Sequence, residues 1–372
     1  MAPELKTIKI PLTQLAENMV IATDILDHQG RKLISKGYKV TSSQRIKDLL
    51  DKHQLKNVEI HVYKNNPFRK EEELPIPDAK DMSLVNTLEE EIITLKESLP
   101  SIKKRISTDF QYILEGKELP TNVLKQHTKA NLKILNLRTN VFQLIEIMRK
   151  LDNSIYTHCY NVALTSYSIG KWMNLSEDDL EELFLAAMLI DVGKLQVPKE
   201  IIYKKGSLSY EEQMEIQKHA IYSYNLVKPY TCISHKIKQT ILTHHERIDG
   251  KGYPLRLKAS DIPLYSRIIA VADVYNTLIT EKVGTFTVFD VLKIMKTEYK
   301  NLLDLNILYT FLKYIGCCFI GQKVKLDNQE IGEIVFINDK QINKPLIKLL
   351  STNKIIDLNT YRPYWKIKQL IL

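Results

Sequence analysis

The stretch Ser176–Asp191, SEDDLEELFLAAMLID, reads as one amphipathic helix. Ser176 can cap its start, Leu180, Phe184 and Ala187 fall on one face, and Asp191 ends the same stripe. A carboxylate closing an apolar face is costly unless it is paired or bound. Helical spacing of apolar residues continues in both directions, from Asp81 to about Leu305, punctuated by Pro100, Pro120, Pro198 and the Gly-Pro-rich segment Asp249–Pro254. This large region sets the expected class as mainly α.

The flanks read differently. Residues 1–64 form a small mixed α/β domain: short alternating runs at Ile8–Ile10 and Met19–Ala22, a turn at Asp27–Gly30, a short helix with Ile46, Leu49 and Leu50 on its apolar face, and a strand-like run at Val58–Val62. Residues 65–80, with three prolines and a charge run, predict a linker. The helical region divides into a connector over 81–150 and the main domain over 151–320. From 321 to 372 the period becomes that of strands, at Val324–Leu326, Ile331–Ile337, Leu346–Leu350 and Ile355–Leu358, so a small β-domain closes the chain.

Composition narrows the partners. An apolar fraction of 44% with 26% charged residues suits a globular protein, and no run of eighteen apolar residues appears. With Glu4 and Lys6 near the start and no apolar block there, the reading is a cytoplasmic chain without membrane insertion. The net charge of +9 does not by itself point to a nucleic-acid polymer, since only ten of the 53 basic residues are Arg. The four cysteines show no CxxC pairing, which predicts reduced thiols.

Several inward-facing polar residues need a common explanation. His158 continues a stripe of Ile155, Val162 and Ile169; His219 follows Ile216 by three; His244 and His245 follow Ile241; Asp273 follows Ile269 by four. With Asp191 they make six imidazoles and carboxylates aimed at one helical core. A divalent metal, or a pair of them, would satisfy all six. Taken alone, each could equally be a hydrogen-bonded core residue or a helix-end residue.

Their order along the chain adds more. Tyr156-Thr157-His158 is followed by Asp191-Val192-Gly193-Lys194, then Lys205-Gly206, His219, the block His244-His245-Glu246-Arg247-Ile248-Asp249-Gly250-Lys251-Gly252-Tyr253-Pro254, Asp261-Ile262-Pro263, and Arg267 to Asp273. This series resembles the HD-GYP family, a subgroup of the HD metal-dependent phosphohydrolases, over roughly residues 151–300. The flanks are similar to domains found before and after some HD-GYP modules. The resemblance implies an HD-type helical bundle, iron or manganese ions, and hydrolysis of cyclic di-GMP to pGpG or GMP. It also implies metal ligands at His158, Asp191, His219, His244, His245 and Asp273, a catalytic role for Asp191 and Lys194, and substrate contacts from Lys194, Arg247, Tyr253 and Lys282.

The sequence departs from the family at defined points. Isoleucine stands at 190 where the name-giving histidine would be, leaving His158, Asp191 and Asp273 for one metal, while Asp191, His219, His244 and His245 keep a full set for another. Ser154 replaces a glutamate tied to a third metal, Leu303-Asp304-Leu305 replaces Phe-Asp-Pro, and the loop Glu281–Thr285 is short, with Lys282 as its one remaining cation. The expectation is therefore one or two ions. Two functional readings follow: a cyclic di-GMP phosphodiesterase, or a degenerate receptor that binds cyclic di-GMP and signals through its flanking domains, with a homodimer or a signalling protein as partner.

Overall fold

The computed structural model describes most of residues 5–63, residues 82–117, Thr128, and residues 141–371 apart from 153, 205, 282–285, 338–340 and 361–364. The chain forms two compact units, residues 1–76 and 77–372. In the first, β1 (Leu5–Pro11), β5 (Asn57–Tyr63) and β2 (Val20–Ile21) make an antiparallel sheet with Ile8 opposite Ile60, and β3 (Ile25–Leu26) pairs with β4 (Lys32–Ile34). Leu15, Ile21, Val40, Ile46, Leu50 and Val58 form its core. The predicted turn at 27–30 and Leu49 lie outside the described residues.

The second unit is helical with a terminal sheet, so the mainly α expectation holds. Its helices are α1 (Met82–Leu114), α2 (Val141–Leu151), α3 (Ile155–Trp172), α4 (Glu177–Leu189), α5 (Lys199–Ile202), α6 (Tyr210–Gln217), α7 (His219–Val227), α8 (His235–Thr243), α9 (Leu264–Glu281), α10 (Val288–Glu298) and α11 (Leu305–Cys318). Local signals set their starts. Ser154, Ser176, Ser234, Thr287 and Asp304 each accept a backbone N–H of the helix that follows, the bond that replaces a missing intrahelical acceptor. Ser154 thus has its own structural task, capping α3 one turn before His158.

One continuous core joins these helices apart from α5 and α6, which bury no residue. Ile102, Ile106, Phe110 and Ile113 of α1 pack with Phe142 and Ile145 of α2, with Val162 and Ile169 of α3, and with Phe184 and Ala187 of α4. The same core runs into the C-terminal sheet through Val324, Ile334, Ile347 and Ile356. That sheet has the order β10-β6-β7-β8-β9 with antiparallel neighbours: β6 (Lys323–Leu326), β7 (Ile331–Phe336), β8 (Leu346–Leu349), β9 (Ile355–Asp357) and β10 (Ile367–Ile371). Strand β10, beside β6, has no counterpart among the strands read from the sequence, because its Ile-Lys-Gln-Leu-Ile carries two consecutive polar residues and a register shift at Ile367/Gln369. The four cysteines are free thiols. Among the described residues no helix is long and apolar enough to cross a membrane.

Candidate metal centre

The polar residues singled out above come from five separate places on this scaffold. His158 lies in the first turn of α3, Asp191 just beyond the end of α4, His219 at the start of α7, His244 at the end of α8 with His245 next, and Asp273 in the middle of α9. Asp191, Gly193 and Lys194 sit on a single 3₁₀ turn, Val192–Gln196 with Asp191 before it. That turn is clamped onto α7: Ser223 Oγ donates to the Ile190 carbonyl at 2.7 Å and accepts the Gly193 N–H at 2.8 Å. A Cβ on Gly193 would lie 2.3 Å from the Ser223 nitrogen and 2.4 Å from the His219 carbonyl oxygen. Glycine is therefore required by close approach, and the tight contact brings Asp191 to His219.

Four donors converge. One ligating atom each from Asp191, His219, His244 and His245 lies within 4.8 Å of the others. The His219 Nδ1 is 2.6 Å from the Ile216 carbonyl oxygen and the His244 Nδ1 is 2.7 Å from that of Ile241. A carbonyl only accepts, so each Nδ1 carries the proton and each Nε2 carries a lone pair. Those two Nε2 atoms face each other at 3.4 Å, and the His245 Nε2 approaches that of His219 at 3.1 Å. Burial holds all three rings neutral: it lowers His219, it lowers His244 to about 4 together with the neighbouring His219, and it pushes His245 well down with help from His244.

Asp191 completes the set with negative charge. Burial would raise its pKa, but Lys194, His219 and His158 outweigh burial and hold it well below the usual carboxylate range. Its Oδ2 accepts from Lys194 Nζ at 2.7 Å. Its Oδ1 is buried without a hydrogen bond and lies 3.3 Å from the His219 Nε2. An unsatisfied anionic oxygen facing an imidazole lone pair is unfavourable unless a cation lies between them. The donor set, with backbone carbonyls orienting the imidazoles, fits a divalent transition metal.

The other two predicted ligands are arranged differently. His158 Nε2 is 3.1 Å from Asp273 Oδ1 and 3.5 Å from Asp191 Oδ2, so these groups are already paired. Burial acts to raise Asp273, but its bond to His158 outweighs that and lowers it. On the far side Asp273 Oδ2 is 3.7 Å from His245 Nδ1.

The signature loop forms one wall. Tyr253 stacks on His245 with ring centroids 4.6 Å apart, and burial pushes its hydroxyl up. Glu246, 2% exposed, holds the loop by accepting the Leu255 N–H at 2.7 Å and the Leu257 N–H at 2.9 Å. A Cβ on Gly252 would lie 2.4 Å from both the Arg247 nitrogen and the Glu246 Cα, so the loop folds back on itself only with glycine there. Arg247 Nη1 donates to the carbonyls of Glu246 at 3.1 Å and His244 at 3.4 Å, tying the end of α8 to the loop. Lys282 lies outside the described residues. Sequence reasoning missed Ser223, whose spacing of four from His219 on α7 was the available signal.

Known proteins are similar to this chain over the domain that carries these residues. A model of the HD domain family matches residues 128–307. The chain is similar to the cyclic di-GMP phosphodiesterase PdeB of Borreliella burgdorferi, 32% identical over 206 residues, covering 54% of each chain. It is similar to the cyclic di-GMP phosphodiesterase PA4108 of Pseudomonas aeruginosa, 27% identical over 235 residues, covering 62% of this chain and 53% of that one. A 3'3'-cGAMP-specific phosphodiesterase 2 of Vibrio cholerae is 33% identical over 139 residues, 37% of this chain and 27% of that one. The chain thus spans about half the length of the first two relatives and about a quarter of the third. Residues 128–307 thus carry an HD domain, and the His244–Pro254 signature loop beside the converging donors supports its placement in the HD-GYP subgroup.

Proposed function

We propose that the chain hydrolyses cyclic di-GMP to pGpG or GMP, with a divalent transition metal, iron or manganese, held by Asp191, His219, His244 and His245. The observation that carries this reading is the buried Asp191 Oδ1, which has no hydrogen bond and lies 3.3 Å from the unprotonated Nε2 of His219. A divalent cation there supplies Lewis acidity toward a phosphodiester and toward water. The chain's own groups do the rest. Lys194, which burial would discharge but Asp191 and Asp273 keep charged, offsets negative charge on the phosphoryl group. Tyr253 offers an aromatic face beside the donors, and Asp191 orients both Lys194 and the imidazoles. Arg247 and Lys282 are the further cations for a second phosphate. The names of the relatives that share the domain support the substrate class, and a reaction in the cytoplasm is part of the same proposal.

The test uses purified protein loaded with Mn(II) or Fe(II) under anaerobic conditions and incubated with cyclic di-GMP, with products separated by chromatography. Cleavage to pGpG or GMP is expected, with none of cyclic AMP. Tight binding of cyclic di-GMP with no product under either metal would replace hydrolysis by the receptor reading.

A further inference from the structure

We propose that this centre holds a single divalent ion, and that the Lys194 ammonium takes the place of a second one. The inference rests on the metal-binding reading above. Six donors line the pocket, but they do not form two equivalent sets. Asp191, His219, His244 and His245 bring their donor atoms within 4.8 Å of one another and leave the Asp191 Oδ1 buried without a hydrogen bond. The remaining two, His158 and Asp273, bond to each other at 3.1 Å.

A second ion beside the first would need His158, Asp273 and the free side of Asp191. That side is Oδ2, and Lys194 Nζ already sits on it at 2.7 Å. To enter, the ion would displace an ammonium from a buried carboxylate and break the His158–Asp273 bond. It would gain three protein donors. The next residue in the chain, Ile190, is fully buried in the apolar core, and what it offers the turn is a carbonyl already bonded to Ser223.

Charge points the same way. The donors include two carboxylates, Asp191 and Asp273. One divalent ion plus the Lys194 ammonium exceeds them by one positive charge, a surplus that an incoming phosphodiester neutralises. Two ions plus Lys194 exceed them by three, in a pocket where Asp191, His219 and His244 are each almost fully buried and uncompensated charge is costly. The ammonium reaches the Asp191 oxygen from the same 3₁₀ turn, three residues on, so its position is fixed by the fold.

The experiment counts ions. Wild-type protein reconstituted anaerobically with excess Mn(II), freed of loosely held metal by gel filtration, is expected to carry one ion per chain and to give the electron paramagnetic resonance spectrum of isolated Mn(II). Lys194→Met, which removes the ammonium, is expected to take up a second, weaker ion in the same titration. Lys194→Arg, which keeps the charge, stays at one. Two ions per wild-type chain with an exchange-coupled spectrum would overturn the inference while leaving the hydrolase reading intact. Identical titrations for Lys194→Met and wild type would overturn the role given to Lys194. No ion at any Mn(II) concentration would overturn the metal reading and this inference together, whereas one ion without cleavage of cyclic di-GMP would count against the hydrolase reading alone.

Discussion

The two sides of this pocket use the same kinds of residue to opposite effect. On one side His219 and His244, each ring fixed by a backbone carbonyl, turn their Nε2 lone pairs toward each other, and the His245 Nε2 lies 3.1 Å from that of His219. On the other, His158 spends its Nε2 on Asp273 at 3.1 Å. The first side leaves the buried Asp191 Oδ1 without a hydrogen bond, whereas the second is paired within itself. A metal centre is therefore recognised less by which residues gather than by whether their donors already have partners.

The sharpest way to break this comparison is to remove one ring from each side. His219→Ala should abolish metal retention and lower the cyclic di-GMP cleavage rate by roughly 10³, since losing the cation forfeits ~4 kcal/mol of transition-state stabilisation. His158→Ala should keep most of its metal, read by elemental analysis after gel filtration. Equal metal loss in the two variants would erase the distinction between the sides.

Ile190→His probes the same contrast from the opposite direction, by giving the paired side the imidazole that the family resemblance leads one to expect. With Lys194 still on Asp191 Oδ2, the single variant should stay at one ion, and metal content should rise toward two ions only when Ile190→His is combined with Lys194→Met. Without an ion, the new ring would be a buried polar group costing about 1–3 kcal/mol, because Ile190 is fully buried. Thermal unfolding with and without Mn(II) separates the cases: stabilisation by the ion in the double variant beyond that in wild type is expected, and its absence would mean the ring does not reach the ion.

Glu246→Gln tests the wall shared with the His219 side. The carboxylate accepts two backbone N–H groups, and an amide oxygen in its place must leave at least one of those bonds weaker. A loss of about 1–2 kcal/mol in unfolding free energy is expected, with a cleavage rate lower by roughly tenfold as Tyr253 loosens against His245. A variant that is destabilised but fully active would show that the loop's position does not matter to the chemistry.

Much of this was legible in the chain because periodicity and caps are local. The stripe Leu180, Phe184, Ala187 does line the buried face of one helix and Ser176 does cap it, but that helix ends at Leu189 and Asp191 lies on the 3₁₀ turn beyond it. The order of His, Asp, Gly, Lys and the Gly-Tyr-Pro loop was enough to name the domain. What the sequence could not give was which donors are spare. That depends on backbone carbonyls three residues away, on a serine from another helix holding the Asp191 turn, and on a lysine folding back onto its neighbour's carboxylate. Ser154 read as a lost ligand because its capping bond exists only once α3 has formed.

The smallest effect lies at the start of α3 and concerns how the paired side is held in place. Asp152 accepts the Ser154 N–H at 3.0 Å, the Ser154 hydroxyl at 2.8 Å and the Thr157 hydroxyl at 2.6 Å, and pairs with Lys103 of α1 at 2.9 Å. Thr157 immediately precedes His158, so this carboxylate anchors the turn that presents the imidazole. Partial burial would raise its pKa, but the bonds from Thr157, Lys103 and Ser154 outweigh it and hold the group at about 2, against an ordinary 3.8. A carboxylate lowered on folding stabilises the protein fully above its unfolded value and loses that contribution as pH falls toward its folded value. The group keeps 31% of its side-chain surface in solvent, so the shift is screened to on the order of 1 kcal/mol. Asp152→Asn should therefore lower the unfolding free energy by about 1 kcal/mol in urea at about pH 6. The difference from wild type should stay flat to about pH 5 and be roughly halved by about pH 3, as the wild-type carboxylate protonates in the unfolded chain. A difference that held constant down to about pH 3 would assign the loss to packing in the variant and remove Asp152 from the electrostatic account of this turn.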